Sequence, residues 1–297
     1  MRLPAWLAHH LAALRALLVL TVLTGVLYPL AITAIAQVPG LKHKADGSMV
    51  TAADGKVVGS ALIGQNFTDK DGKPLVQYFQ SRPSAAGTAG YDPTATSASN
   101  LGPESVVDTL PDPAKKDDTG KQSLLTQVCS RSKAVGDLEG VDGRRPYCTP
   151  DGVGAVLAVY HRDGLTGPVT RAVSLNEACP ATPFVASYQG VTVECAKFGE
   201  DYSLGIVTPV RGDAPATPAV PADAVTASAS GLDPAISPAY AKLQAARVAK
   251  ARAADVAAVL KLVDAHTTGR ALGFLGEPAV NVVQLNIDLD RQYPNHA

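Results

Sequence analysis

The chain has 297 residues, 46% of them hydrophobic and 18% charged, which excludes a chain disordered throughout. Its 26 basic residues nearly balance 27 acidic ones, so it carries no electrostatic footprint for nucleic acid. Aromatic residues are only 5% while Gly (26) and Pro (22) are plentiful, which rules out a large aromatic core and predicts many turns.

Ala16 to Ala36 contains no charged side chain and is long enough for the roughly 20 residues that a bilayer-spanning helix needs. Gly25 and Pro29 fall inside it, which lipid tolerates better than water, and a kink is expected near Pro29. Ala34-Ile35-Ala36 before Gln37 has the spacing of a signal-peptide cleavage site. The apolar run nevertheless exceeds the roughly 7–15 residues of a signal core, so a retained anchor is favoured over a cleaved signal or a buried core helix.

Basic residues do not orient this anchor, because Arg2 and Arg15 precede it and Lys42 and Lys44 follow. The cysteines do. All four (Cys129, Cys148, Cys179, Cys195) lie downstream, and paired disulfides require an oxidising compartment. The expected topology is a single-pass cell-membrane protein with its N-terminus cytoplasmic and the bulk of the chain extracytoplasmic. Reduced cysteines in a cytosolic domain are the alternative. Zinc is disfavoured, since no C-x-x-C pair occurs and His161 is the only histidine nearby.

The expected class is α+β: one transmembrane helix (1–37), then a mixed extracytoplasmic core (38–103 and 221–297) interrupted by a β-rich, disulfide-containing module with its linker (104–220). In 38–103, Val57-Val58, Ala61 to Ile63 and Val76 to Phe79 read as short strands. Asp69-Lys70-Asp71-Gly72 reads as a turn, because the later acidic ligands of a calcium loop are missing. In the module, Val153 to Tyr160, Val169 to Leu175 and Val191 to Cys195 predict small antiparallel β structure, and the Pro/Ala stretch Ala214 to Ala224 predicts a linker. Nearest-neighbour pairing, Cys129 with Cys148 and Cys179 with Cys195, would close loops worth about 3 kcal/mol each. Two other connectivities remain open.

The last part is the most regular. Ser237-Pro238 marks a helix start with Ala239 to Arg252 following, and Asp255 caps a second helix whose apolar face is Val256, Val259, Leu260 and Val263, ending near Gly269. His266, at the end of that helix, is expected to cap its carbonyls. Val283, Leu285, Ile287 and Leu289 alternate with polar residues, which predicts a half-buried strand with a bulge at Val282-Val283.

Catalytic motifs are missing: there is no phosphate-binding glycine loop, no H-E-x-x-H and no G-x-S-x-G. Two segments dense in small hydroxyls stand out, Tyr91 to Gly102 and Thr226 to Pro234. Ordered turn-rich loops explain them, as would a surface meeting another protein or oxygens lining an ion path. A hydrolase using Ser99 or Ser230 would lack an evident base. A free-standing extracellular binding module is the other alternative.

Several runs together carry a resemblance: Gly59 to Phe67, Tyr78-Phe79 with Arg82 to Ala85, Ser97 to Gly102, Val225 to Pro234 with Ile236 to Pro238, Arg247 to Arg252, and Leu272 to Pro278 with Val280 to Val282. In this order after a single anchor they resemble the C subunit of the bacterial high-affinity potassium-transporting Kdp ATPase, over roughly 1–103 and 221–291. Ala235 stands where many relatives have a polar residue after Asp-Pro, and the cysteine module resembles the longer actinobacterial form. The resemblance implies a non-catalytic subunit partnered with a channel-like potassium-translocating subunit, a P-type ATPase subunit and a small hydrophobic one. Arg82, Asn100, Asp233 and Asn281 are then expected to organise core loops or meet a partner, without a chemical role. It implies no covalent cofactor and no metal. ATP enters through the family's description as assisting nucleotide binding, with Gln244 at the position of a glutamine proposed to touch nucleotide. Direct contact conflicts with the expected topology, which puts this domain and ATP on opposite sides of the bilayer.

Overall fold

The computed structural model describes residues 4–52, 54–96 and 101–294. They form two compact units, Met1–Leu62 and Ile63–Ala297. The first begins with helix α1 (Ala5–Ala36), the one helix among the described residues that is long and apolar enough to cross a membrane. None of its side chains is buried within the chain. A π-helical turn, Leu23–Leu27, precedes Pro29. Proline lacks an N–H and its ring collides with the carbonyl four residues earlier, here that of Gly25, and the widened turn relieves this clash. Thr24 and Thr33 hydroxyls donate to the Leu20 and Pro29 carbonyls at 2.7 and 2.8 Å, supplying polar bonds inside an apolar helix. A hairpin of β1 (Met49–Thr51) and β2 (Val57–Ser60) completes this unit. Ala61 to Ile63 turns and does not extend as a strand.

The second unit joins two layers of structure. Helix α2 (Leu124–Glu139) starts at Ser123, whose hydroxyl accepts the Thr126 N–H, and ends at Gly140 in the left-handed region. No element was expected over this segment, which precedes the three runs read as strands. Beyond it lie β3 (Val156–His161), β4 (Val169–Ala178), β5 (Ser187–Tyr188), β6 (Val191–Ala196) and β7 (Ile206–Pro209), in the order β5-β6-β4-β3-β7. The pairings are antiparallel except β4 with β6, which is parallel, so the sheet is mixed and not purely antiparallel. Val156, Ala158 and Val173 fill one face while Leu157, Val159 and Ala172 fill the other. Burial on both sides explains why these strands read as continuous β-branched runs without alternation.

The cysteines pair as nearest neighbours, Cys129 with Cys148 and Cys179 with Cys195, and none among the described residues is free. The Asp69 turn also holds: its carboxylate accepts the N–H groups of Asp71 and Lys73.

After the 3-10 turn Ala222–Ala224 come β8 (Ala235–Ile236), α3 (Pro238–Ala251), α4 (Val256–Ala265), β9 (Thr267–Thr268), β10 (Ala279–Asn281) and α5 (Val282–Gln292). Ser237 and Asp255 cap α3 and α4 as expected. The strand expected over Val283 to Leu289 is instead helix α5. Asn281 caps it by accepting the Gln284 N–H at 3.1 Å, and Val282, Leu285, Asn286 and Leu289 are buried at helical spacing. Alternating polarity over seven residues satisfied both periods, and the cap decides between them. His266 is the C-cap residue of α4, its main-chain N–H donating to the Leu262 and Val263 carbonyls at 3.1 and 3.2 Å, while its ring Nε2 meets Asp288 on α5 at 2.9 Å.

One core cluster gathers α3, α4, α5, Phe79 and the segment around Val220, Ala224 and Val225. The Pro/Ala stretch that composition marks as a linker therefore ends packed in the core. Val128 and Val135 of α2 lie against the same cluster, so the module shares it.

Candidate functional site

The site is built around Arg82. Its Nη1 lies 3.0 Å from Asp233 Oδ2, its Nε and Nη2 reach the Thr226 carbonyl at 3.4 and 3.3 Å, and Nη2 meets the Ala227 carbonyl at 3.5 Å. A planar guanidinium can serve several acceptors at once, so one side chain ties the 82–92 loop to the hydroxyl-rich 226–234 loop. Ser84 adds a second tie: its hydroxyl donates to the Gly231 carbonyl at 2.7 Å and accepts the Tyr91 N–H at 2.9 Å. Gly231 sits at φ +73°, and a Cβ there would fall 2.6 Å from Ala86 Cβ, so only glycine fits. The Tyr91 hydroxyl donates to the Arg82 carbonyl at 2.7 Å, and burial pushes its pKa up to about 12.

From Asp233 the order continues into the sheet. Its Oδ1 accepts the Ala235 N–H at 3.1 Å, Ala235 pairs with Asn281 between β8 and β10, and the Val282 N–H donates to the Pro234 carbonyl at 3.0 Å. Arg82, Asp233 and Asn281 thus belong to one connected framework. Asn100 and Ser99 lie outside the described residues. The Ser230 hydroxyl accepts the Leu232 N–H at 3.1 Å, a turn bond.

A second framework holds Phe79 and Gln80, where a strand was expected over Val76 to Phe79. This segment bonds to side chains instead of to a neighbouring strand. Asn286 Oδ1 accepts the Phe79 N–H and its Nδ2 donates to the Phe79 carbonyl, both at 2.9 Å. Gln244 does the same for Gln80, accepting its N–H at 2.6 Å and donating to its carbonyl at 3.1 Å. Two amides from α3 and α5 imitate a ladder over consecutive peptide units, and both are buried.

Arg247 extends the clamp to the module. It meets the Glu139 carboxylate at 2.9 and 3.1 Å and donates to Gln244 Oε1 at 2.9 Å. Glu139 is almost wholly buried, and desolvation raises its pKa against the opposing pull of Arg247. Arg252, also buried, donates to the Gln77 and Tyr293 carbonyls, pairs with Asp290 and lies over the Tyr78 ring. Sequence reading missed Asn286 and Glu139. Asn281 followed three residues later by Gln284 was the one local signal, a capping pattern that would have placed Asn286 on a helix. Glu139 left no such signal.

Among the described residues no group of three or more His, Cys, Asp or Glu is placed to hold a metal ion. The arrangement chiefly orders loops, with charges spent on main-chain carbonyls.

Comparison with known proteins bears on the same residues. The family described as "KdpC: K+-transporting ATPase, c chain" matches residues 10–116 and 207–291, and all four cysteines lie in the unmatched stretch between. The chain is 37% identical over 285 residues to the potassium-transporting ATPase KdpC subunit of Myxococcus xanthus, covering 95% of this chain and 88% of that one. The protein of the same name from Mycobacterium tuberculosis is 35% identical over 281 residues, covering 95% and 97%. That from Caulobacter vibrioides is 35% identical over 288 residues, covering 97% and 95%.

Proposed function

Since this chain belongs to the KdpC family of potassium-transporting ATPase subunits, we propose that it is a non-catalytic accessory subunit that stabilises the assembly of an ATP-driven potassium uptake pump. Its partners are a channel-like potassium-translocating subunit, a P-type ATPase subunit and a small hydrophobic subunit. The observation that carries this reading is α1, a long apolar helix with no side chain buried in its own chain, followed by a unit stapled by disulfides and loop ties. An unburied apolar helix seeks lipid and partner helices. Disulfides persist in oxidising compartments, which supports a larger unit outside the cytoplasm with the N-terminus inside.

The family's assistance to ATP binding is then exerted through assembly and not by touching nucleotide. Gln244 supports this, because it is fully buried and both ends of its amide are engaged with Gln80. The test is a mild-detergent pull-down of the tagged full-length chain from potassium-starved cells, with mass identification and an ATPase assay. Co-elution of a P-type ATPase and a channel-like subunit is expected. Elution of the chain alone, under conditions that preserve other membrane complexes, would overturn the reading.

A further inference from the structure

We propose that the tip of the β9–β10 hairpin is a docking finger that enters an apolar pocket on another protein subunit of the same pump, an inference that rests on the subunit reading above. The connection between Thr268 and Ala279 shows three large apolar side chains to solvent: Leu272 is 83% exposed, Phe274 70% and Leu275 50%. Such a cluster on a soluble surface marks an interaction site, whereas single exposed leucines do not.

The loop is built to hold this display. Ala271 and Leu275 exchange two main-chain hydrogen bonds of 2.9 Å, and Arg270 meets Glu277 at 2.6 Å across the neck. Leu272 adopts φ +53°, a left-handed backbone that a leucine takes only at a cost, flanked by Gly273 at +81°. A strained backbone that presents leucine to water makes sense when something covers the leucine.

Charge decides what covers it. Arg270 and Glu277 are the only charged residues of the loop and they neutralise each other. Loops that settle on anionic bilayers keep unpaired cations for the headgroups. Lipid also offers no partners to the exposed main chain of a turn. A neutral polar neck around an aromatic tip is instead the anatomy of a protein contact, with Phe274 as anchor.

Another apolar groove, of about 390 Å³, is lined by Val107, Phe198 and Val207. Phe198 and most of that groove's wall fall in the stretch that the family does not match, whereas the hairpin falls wholly within 207–291. A contact common to the family's subunits belongs on the shared part.

The test uses the full-length chain co-expressed with the other pump subunits, comparing wild type, Leu272→Ser/Phe274→Ser and Leu204→Ser, an isolated exposed leucine elsewhere. The doublet is expected to keep the wild-type melting midpoint while co-purifying subunits fall about tenfold or more, and Leu204→Ser to co-purify as wild type does. Wild-type recovery of partners by the doublet would overturn the docking alone. So would an equal loss with Leu204→Ser, or a doublet that keeps its partners but loses binding to vesicles of anionic phospholipid. A wild-type chain that elutes without partners would overturn the subunit reading itself.

Discussion

Arg82 does the work of several residues, because its guanidinium serves two carbonyls and one carboxylate from a loop about 150 positions away. Its substitution by alanine should cost about 2 kcal/mol, given hydrogen bonds from a charged donor that is only partly exposed. A lower melting midpoint of the purified chain, by about 2–4 °C per kcal/mol, is the expected readout. Gln244→Ala strands a buried N–H and carbonyl of Gln80, at about 3 kcal/mol. In the assembled pump it should lower the yield of complex and leave the KM for ATP unchanged; a raised KM at normal yield would restore nucleotide contact. Tyr91 gives a pH dependence. Its folded pKa of about 12 lies above the ordinary 10, so the stability it contributes is complete below pH 10 and is lost as pH rises towards 12. Tyr91→Phe should give up about 1 kcal/mol at neutral pH through the lost bond to Arg82, and flatten the alkaline decline in circular-dichroism melts. At this scale Arg82 and Asp233 were legible only through family resemblance. The amide clamps were not legible at all, because a side chain bonding to main chain across 164 residues leaves no local pattern.

At the scale of elements, whatever carried a local chemical signature was readable. Ser237-Pro238 and Asp255 announced α3 and α4, and a charge-free apolar run announced α1. Helix α5 was misread because a period of two and a period of 3.6 coincide over so short a stretch, so that only the Asn281 cap separates them. Helix α2 was hidden by its own glycine. Gly136 sits in its last turn, where a Cβ would fall 2.5 Å from Gly143 Cα, and close packing outweighs its poor helix propensity. For α1, replacing Ala16 to Ala36 by an unrelated spanning sequence should preserve membrane insertion yet weaken retention in the pump, as judged by co-purification in mild detergent. Undiminished retention would show that this helix is only a tether.

Across the whole molecule, the module between the family-matched stretches is bound into the core. Glu139 and Arg247 form a buried pair between α2 and α3, and Arg131 and Arg145 donate to the Val225 and Val220 carbonyls. Glu139→Ala would leave Arg247 buried without its counter-charge, a loss of about 3–5 kcal/mol, which urea unfolding of the full chain should register. Composition marked this region as separate because its cysteines, prolines and charges cluster, and composition is blind to the three-dimensional closure that joins it. That closure has a temporal side. Phe79 waits for Asn286, which follows it by 207 residues, and Gln80 waits for Gln244. If the chain is threaded across the bilayer from its anchor onward, the first exterior segment emerges long before the helices that seal it. It must stay open, and exposed to proteases, until nearly the last residues arrive.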